Sequence, residues 1–137
     1  MAFAETRGSG RRVLAHFGAV DVLLAEAVQP GDCLGIISAT WVLSASATVA
    51  QPLLVAGVKG EAAETIQGYV GAIVEVITTA ANVATVGEKA ALADNGSYQA
   101  AGIGLPDVGY VVGVGSDSLT AILFVLPSAA QLTVVRA

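Results

Sequence analysis

Short apolar runs dominate the chain, broken roughly every 8–12 residues by clusters of Gly, Pro, Asn, Asp or Ser, the spacing of a β-sandwich or barrel. The stretch Val83–Val114 shows the pattern most fully, reading as strand, turn, strand, loop, strand. Leu92 precedes and Tyr98 follows Asn95-Gly96. That dipeptide signals a type I′ hairpin turn, which needs positive φ at both central residues. Beyond Pro106-Asp107, residues Val108–Val114 form a further strand.

The same reading extends along the chain. Arg12–Phe17 begins a strand or a short helix. Asp21–Val28 is a strand that ends at the turn Gln29-Pro30-Gly31-Asp32. Cys33–Ile37 and Trp41–Leu43 pair as a hairpin. Ser44–Ala50 has no firm period, and Pro52 marks a sheet edge or a strand start. Leu53–Val58 is a compact apolar run, Lys59-Gly60 a turn, and Glu61–Gln67 a helical turn or a loop. Gly68–Thr78 is the longest expected strand and is apolar on both faces, so it is buried on both or meets a partner on one. Gly115-Ser116-Asp117-Ser118 is a turn, Leu119–Leu126 the last long strand, ended by Pro127, and Leu132–Val135 a short final strand or a tail. The expected class is all-β, a small β-sandwich or a β-tulip or barrel-like body, with an extended N-terminal arm.

Composition sharpens this. Of 137 residues, 55% are hydrophobic and only 12% charged, about half the usual charged share. A surface so poor in charge needs a cover, either partner molecules or a membrane. The charge-free run Cys33–Val58 is long enough to span a bilayer, but Ser38, Thr40, Ser44, Ser46, Thr48, Gln51 and Pro52 interrupt it, so no membrane span is expected. A secretory signal is disfavoured too, because His16 and Asp21 break the apolar run after Arg11-Arg12.

Charge divides the chain into residues 1–12, a basic arm, and 13–137, a single β domain. The arm holds Arg7, Arg11 and Arg12 against Glu5, with Gly8 and Gly10 for flexibility; the rest holds Lys59, Lys89 and Arg136 against ten acids. An acidic body does not suit nucleic-acid binding. The arm is either a basic terminus without a partner or a segment that docks on an acidic neighbour.

No constellation of catalytic residues emerges. Cys33 is the only cysteine and His16 the only histidine, so no intramolecular disulfide and no ordinary zinc site can be built. Cys33 reads as a small buried apolar residue, and His16 as a polar surface or partly buried one. Glu61 and Glu64, and the loop acids Asp94 and Asp107, read as solvated turn residues rather than as an acid–base pair. Asp94-Asn95-Gly96 lacks the later glutamate of a calcium loop, and Gly113 and Gly115 open no helix. The chain is expected to be no enzyme and to need no cofactor or metal.

The order of Pro30-Gly31-Asp32, Val55–Val58, Gly68–Val76, Gly87-Glu88-Lys89, Asn95-Gly96-Ser97-Tyr98, Val108–Gly113 and Phe124-Val125 resembles that of the capsid cement, or head decoration, proteins of tailed bacteriophages. The resemblance covers roughly residues 26–127 and departs from the family at Ser38–Gln51. It implies a structural virion protein on the outer capsid surface, made in the bacterial host cytoplasm, that clamps adjacent major capsid protein subunits. It also implies a homo-oligomer (a trimer before a dimer) and an arm whose Arg7, Arg11 and Arg12 meet acidic groups of the capsid protein. A receptor- or carbohydrate-binding accessory module is the alternative.

Overall fold

The structure is a computed structural model and describes residues 3–5, 11–44, 53–78, 83–93, 96–102, 107–116 and 119–126. Its strands are β1 (Arg12–His16), β2 (Ala19–Leu23), β3 (Cys33–Ile37), β4 (Thr40–Leu43), β5 (Leu53–Ala56), β6 (Thr65–Tyr69), β7 (Ala72–Ile77), β8 (Lys89–Leu92), β9 (Tyr98–Ala100), β10 (Asp107–Val114) and β11 (Thr120–Val125). They form two antiparallel sheets, one of six strands in the order β1-β7-β11-β10-β8-β9, the other of five in the order β2-β6-β5-β3-β4. The body is an all-β, sandwich-like one, and neither sheet closes into a barrel.

The five-stranded sheet curls strongly. Its outer strands approach through a parallel bridge between Leu24 and Trp41, and the Ala25 N–H donates to the Trp41 carbonyl at 2.9 Å. The concave side holds a core of its own, built on Val22, Leu24, Leu34, Leu54 and Ile66. A larger core lies against the six-stranded sheet, where Val74, Leu92, Tyr98, Val111 and Leu123 meet Cys33 and Val55 of the other sheet. In β7 and β11 buried and half-buried residues alternate, the period expected of strands with one face in the core.

Several expectations are corrected. The Gly68–Thr78 strand is two strands in different sheets, β6 and β7, separated by a corner at Gly71, whose φ is +63°. The buried positions Ile66, Gly68, Ala72, Val74 and Val76 keep one alternation through the corner, and the apolar residues of the second face are the half-buried Tyr69, Ile73 and Ile77. Arg12–Phe17 is strand, without helix. Asp21–Val28 is strand only as far as Leu23, and Val28 instead bridges Gly60. Glu61–Gln67 is a turn followed by the start of β6. The expected tail strand Leu132–Val135, Pro127 and most of the Ser44–Pro52 segment lie outside the described residues.

The β8–β9 hairpin also differs from its expected form. Leu92 pairs with Tyr98, and the Ala93 N–H donates to the Ser97 carbonyl at 2.9 Å. This register leaves a three-residue connection, where a type I′ turn would leave two. Such loops place a left-handed residue last, and Gly96 has φ +72°. The two-residue turn with both φ values positive lies instead at Ser38 (+50°) and Ala39 (+67°), between β3 and β4.

The arm is corrected most. Residues 3–5 run along β9: Ala4 bridges Gln99, the Glu5 N–H donates to Tyr98 and the Ala100 N–H to Phe3. Phe3 is buried in the main core. A boundary after residue 12 therefore does not separate an arm from the body. An apolar side chain at position 3 and a strand at 12–16 fix both ends of the segment.

Candidate interaction surface

Two features draw together some of the residues singled out by sequence: a buried ionic cluster and the outer face of the six-stranded sheet.

The cluster is built on the turn Gln29-Pro30-Gly31-Asp32. Pro30 sets the first central φ, and Gly31 adopts +85°, which the next position of a type II turn demands. The Asp32 N–H closes the turn on the Gln29 carbonyl at 3.1 Å. An Asp32 carboxylate oxygen accepts from the Gln29 N–H at 2.8 Å, and the other binds Arg11. The Arg11 chain crosses Gly31 so closely that a Cβ there would lie 2.6 Å from its Cδ. The guanidinium also makes two hydrogen bonds of 2.5 Å to the Glu5 carboxylate and stands 5.8 Å from the Tyr98 ring centre. Tyr98 completes the link, its hydroxyl donating to the Gly31 carbonyl at 2.8 Å and its N–H to Glu5 at 3.1 Å.

All these groups are buried. Burial raises the Glu5 carboxyl above its ordinary value, against the opposing hydrogen bonds and charge of Arg11 and the Tyr98 N–H. Burial works against the Arg11 charge, but Glu5 above all holds its proton on. Arg11 therefore joins the N-terminal segment, the turn before β3 and strand β9. It is not available as a contact-arm residue, contrary to the expectation. Arg12 is likewise a strand residue, its guanidinium 2.9 Å from Glu75 across β1–β7. Arg7 lies outside the described residues.

The outer face of the six-stranded sheet follows from its registers. Ala15, Ile73, Phe124, Tyr110 and Lys89 form one row across β1, β7, β11, β10 and β8. Arg12, Glu75, Ile122 and Gly113 form the next. Phe17 packs edge-on against Phe124, with ring centres 5.7 Å apart, and is 65% exposed. Tyr110 and Val112 are also exposed. Val112 sits where the β10–β11 register shifts, so the bulge adds an apolar side chain to this face. The result is an apolar centre with an ion pair at each side, Arg12–Glu75 and Lys89–Asp107, the latter at 3.9 Å. Sequence reading touched this face only through Gly68–Thr78, apolar on both sides, and the alternate residues Ile73, Glu75 and Ile77, and Ile122 and Phe124, are its trace.

No protein-family model, curated protein or solved structure matches this chain.

The remaining sites are separate. Cys33 is fully buried and its thiol is pushed up to about 12, chiefly by burial. His16 is exposed on β1 and stacks on Tyr69, with ring centres 3.9 Å apart. Glu64 accepts from the Glu61 N–H at 2.6 Å, closing the turn before β6. Asp94 and Asn95 lie outside the described residues, and Gly96 is a structural position: its carbonyl accepts from the Cys33 N–H and its N–H donates to Ser44, tying the hairpin to the other sheet. Among the described residues, no three of His, Cys, Asp and Glu stand close enough to hold a metal ion. Among the described residues, no helix is long and apolar enough to cross a membrane.

Proposed function

We propose that this chain is a structural virion protein that binds the outer surface of a phage capsid and cements adjacent major capsid protein subunits. The observation that carries the reading is the apolar outer face of the six-stranded sheet, together with other large exposed side chains such as Val20, Leu23, Ile37 and Val58. A surface of this kind gains free energy by being covered with protein. The family resemblance of the sequence supplies the kind of partner. Because Arg11 is buried and Arg12 is a strand residue paired with Glu75 on the sheet surface, apolar sheet surface rather than a basic arm makes the main contact. The protein acts by adhesion and without chemistry, as a homo-oligomer on the shell.

Co-sedimentation with heads assembled without the protein tests this. The protein is expected in the pellet at both low and high salt, since apolar burial is little screened. Protein left in the supernatant at low salt would refute the proposal. The neighbouring aromatics Phe17, Phe124 and Tyr110 favour carbohydrate binding as a second reading, and reproducible glycan-array hits would support that instead.

A further inference from the structure

We propose that residues 3–5 are a latch on β9 that ionisation of Glu5 loosens, so that the segment is held closed in acid and releases the edge of β9 as pH rises.

Three contacts hold the latch. The Phe3 side chain is buried in the main core. The Glu5 N–H donates to the Tyr98 carbonyl and the Ala100 N–H to the Phe3 carbonyl, each at 2.9 Å. The Glu5 carboxyl, on a fully buried side chain, accepts from Arg11 and from the Tyr98 N–H. The first two contacts are indifferent to pH. The third is not, because an ionised carboxylate away from water needs a countercharge. Among the described residues Glu5 meets one cation, Arg11, and shares it with Asp32.

Of these three charged groups, Glu5 is the one placed to leave. Asp32 is fixed by its turn, where its carboxylate accepts from the Gln29 N–H and its own N–H donates to the Gln29 carbonyl. Arg11 leads into β1, which is paired with β7, and its side chain lies across Gly31. Glu5 sits on a short segment that bridges β9. When Glu5 leaves, Arg11 keeps Asp32, so its release strands no buried cation. Two other titratable groups surround the cluster, Tyr98 on β9 and Cys33 at the start of β3. Burial pushes both up, and they stay neutral while Glu5 titrates. Burial also raises the Glu5 carboxyl. The closed latch therefore binds the proton more tightly than the open one, and rising pH favours opening. The open state leaves the Tyr98 carbonyl and the Ala100 N–H as an unpaired strand edge.

Amide hydrogen exchange of the full chain between about pH 4 and pH 7, corrected for the intrinsic rate, tests the latch at Ala100. Global unfolding is read in parallel from urea denaturation. Ala100 protection is expected to fall by up to about tenfold per pH unit above 4.5, the ordinary glutamate value, and to level off once Glu5 is ionised in the closed state. Opening should take less free energy than global unfolding and respond little to low urea, as a local event does. In Glu5→Gln the pH dependence should vanish. In Phe3→Leu protection should be lower at every pH, with the pH dependence kept. If Glu5→Gln does not fold, the Glu5 carboxyl followed by NMR in the wild type decides, since its titration should be centred where Ala100 protection levels off. Five results would each overturn the latch: protection that is flat or rises with pH, a pH dependence that survives Glu5→Gln, protection unchanged in Phe3→Leu, a Glu5 titration centred elsewhere, or Ala100 exchange with the free energy and urea response of global unfolding.

Discussion

At the scale of single residues, Arg11 is the most consequential side chain. Its guanidinium is shared between two buried carboxylates, and removing one member of such a cluster leaves uncompensated charge. Arg11→Met should lower the unfolding free energy by about 3–5 kcal/mol, read from urea denaturation; a loss below about 1 kcal/mol, the worth of an exposed pair, would contradict the assignment. Glu5 sets a pH dependence of definite sign. Its folded-state value is raised above the ordinary 4.5, so its contribution to stability is fully present below that value and is lost as pH rises through the folded one. The stability of the wild type relative to Glu5→Gln should therefore fall with rising pH across that window, and a difference that grows would reverse the sign. At Ser38-Ala39, two residues other than glycine hold left-handed φ values. Asn-Gly in their place should raise stability by about 1 kcal/mol, measured by the same denaturation; no gain would show that the turn carries no strain. None of this could be read along the chain. Arg11 lies near Arg7 and Arg12 in sequence and its charge counts with theirs, while its partner Asp32 is distant. Only Pro30-Gly31-Asp32, legible as a turn, hinted at a site where a carboxylate would be held.

At the scale of elements, the runs Cys33–Ile37, Val108–Val114 and Leu119–Leu126 correspond closely to β3, β10 and β11, because each is apolar, bounded by turn residues and confined to one sheet. The reading went astray where an element changes sheets. Gly68–Thr78 carries no Pro or Asn to mark the corner, and Gly71 reads equally well as a residue within a strand. Register was illegible for a related reason: Asn95-Gly96 fits a two- or a three-residue connection, and the pairing of Leu92 with Tyr98 decides between them. The N-terminal segment brings the largest revision and a prediction with it. Deleting residues 1–5 removes Phe3 from the core and the carbonyl to which Ala100 donates. It should cost about 3–5 kcal/mol, the scale of losing a buried Phe, and abolish hydrogen-exchange protection at the Ala100 amide. Unchanged protection there would show that the segment does not hold β9.

At the scale of the whole molecule, two sheets of unlike shape divide the surface by charge. The six-stranded sheet presents an apolar, balanced outer face, and the curled five-stranded sheet carries the acids near its edge. Low charge content in the sequence pointed to a covered surface without locating it, since an alternating strand reads alike whether its second face meets solvent or a partner. Cryo-electron microscopy of heads incubated with the protein tests the proposed role most directly. The account predicts density on the outer shell, with the apolar outer face of the six-stranded sheet against the capsid subunits. A bare shell would contradict the account.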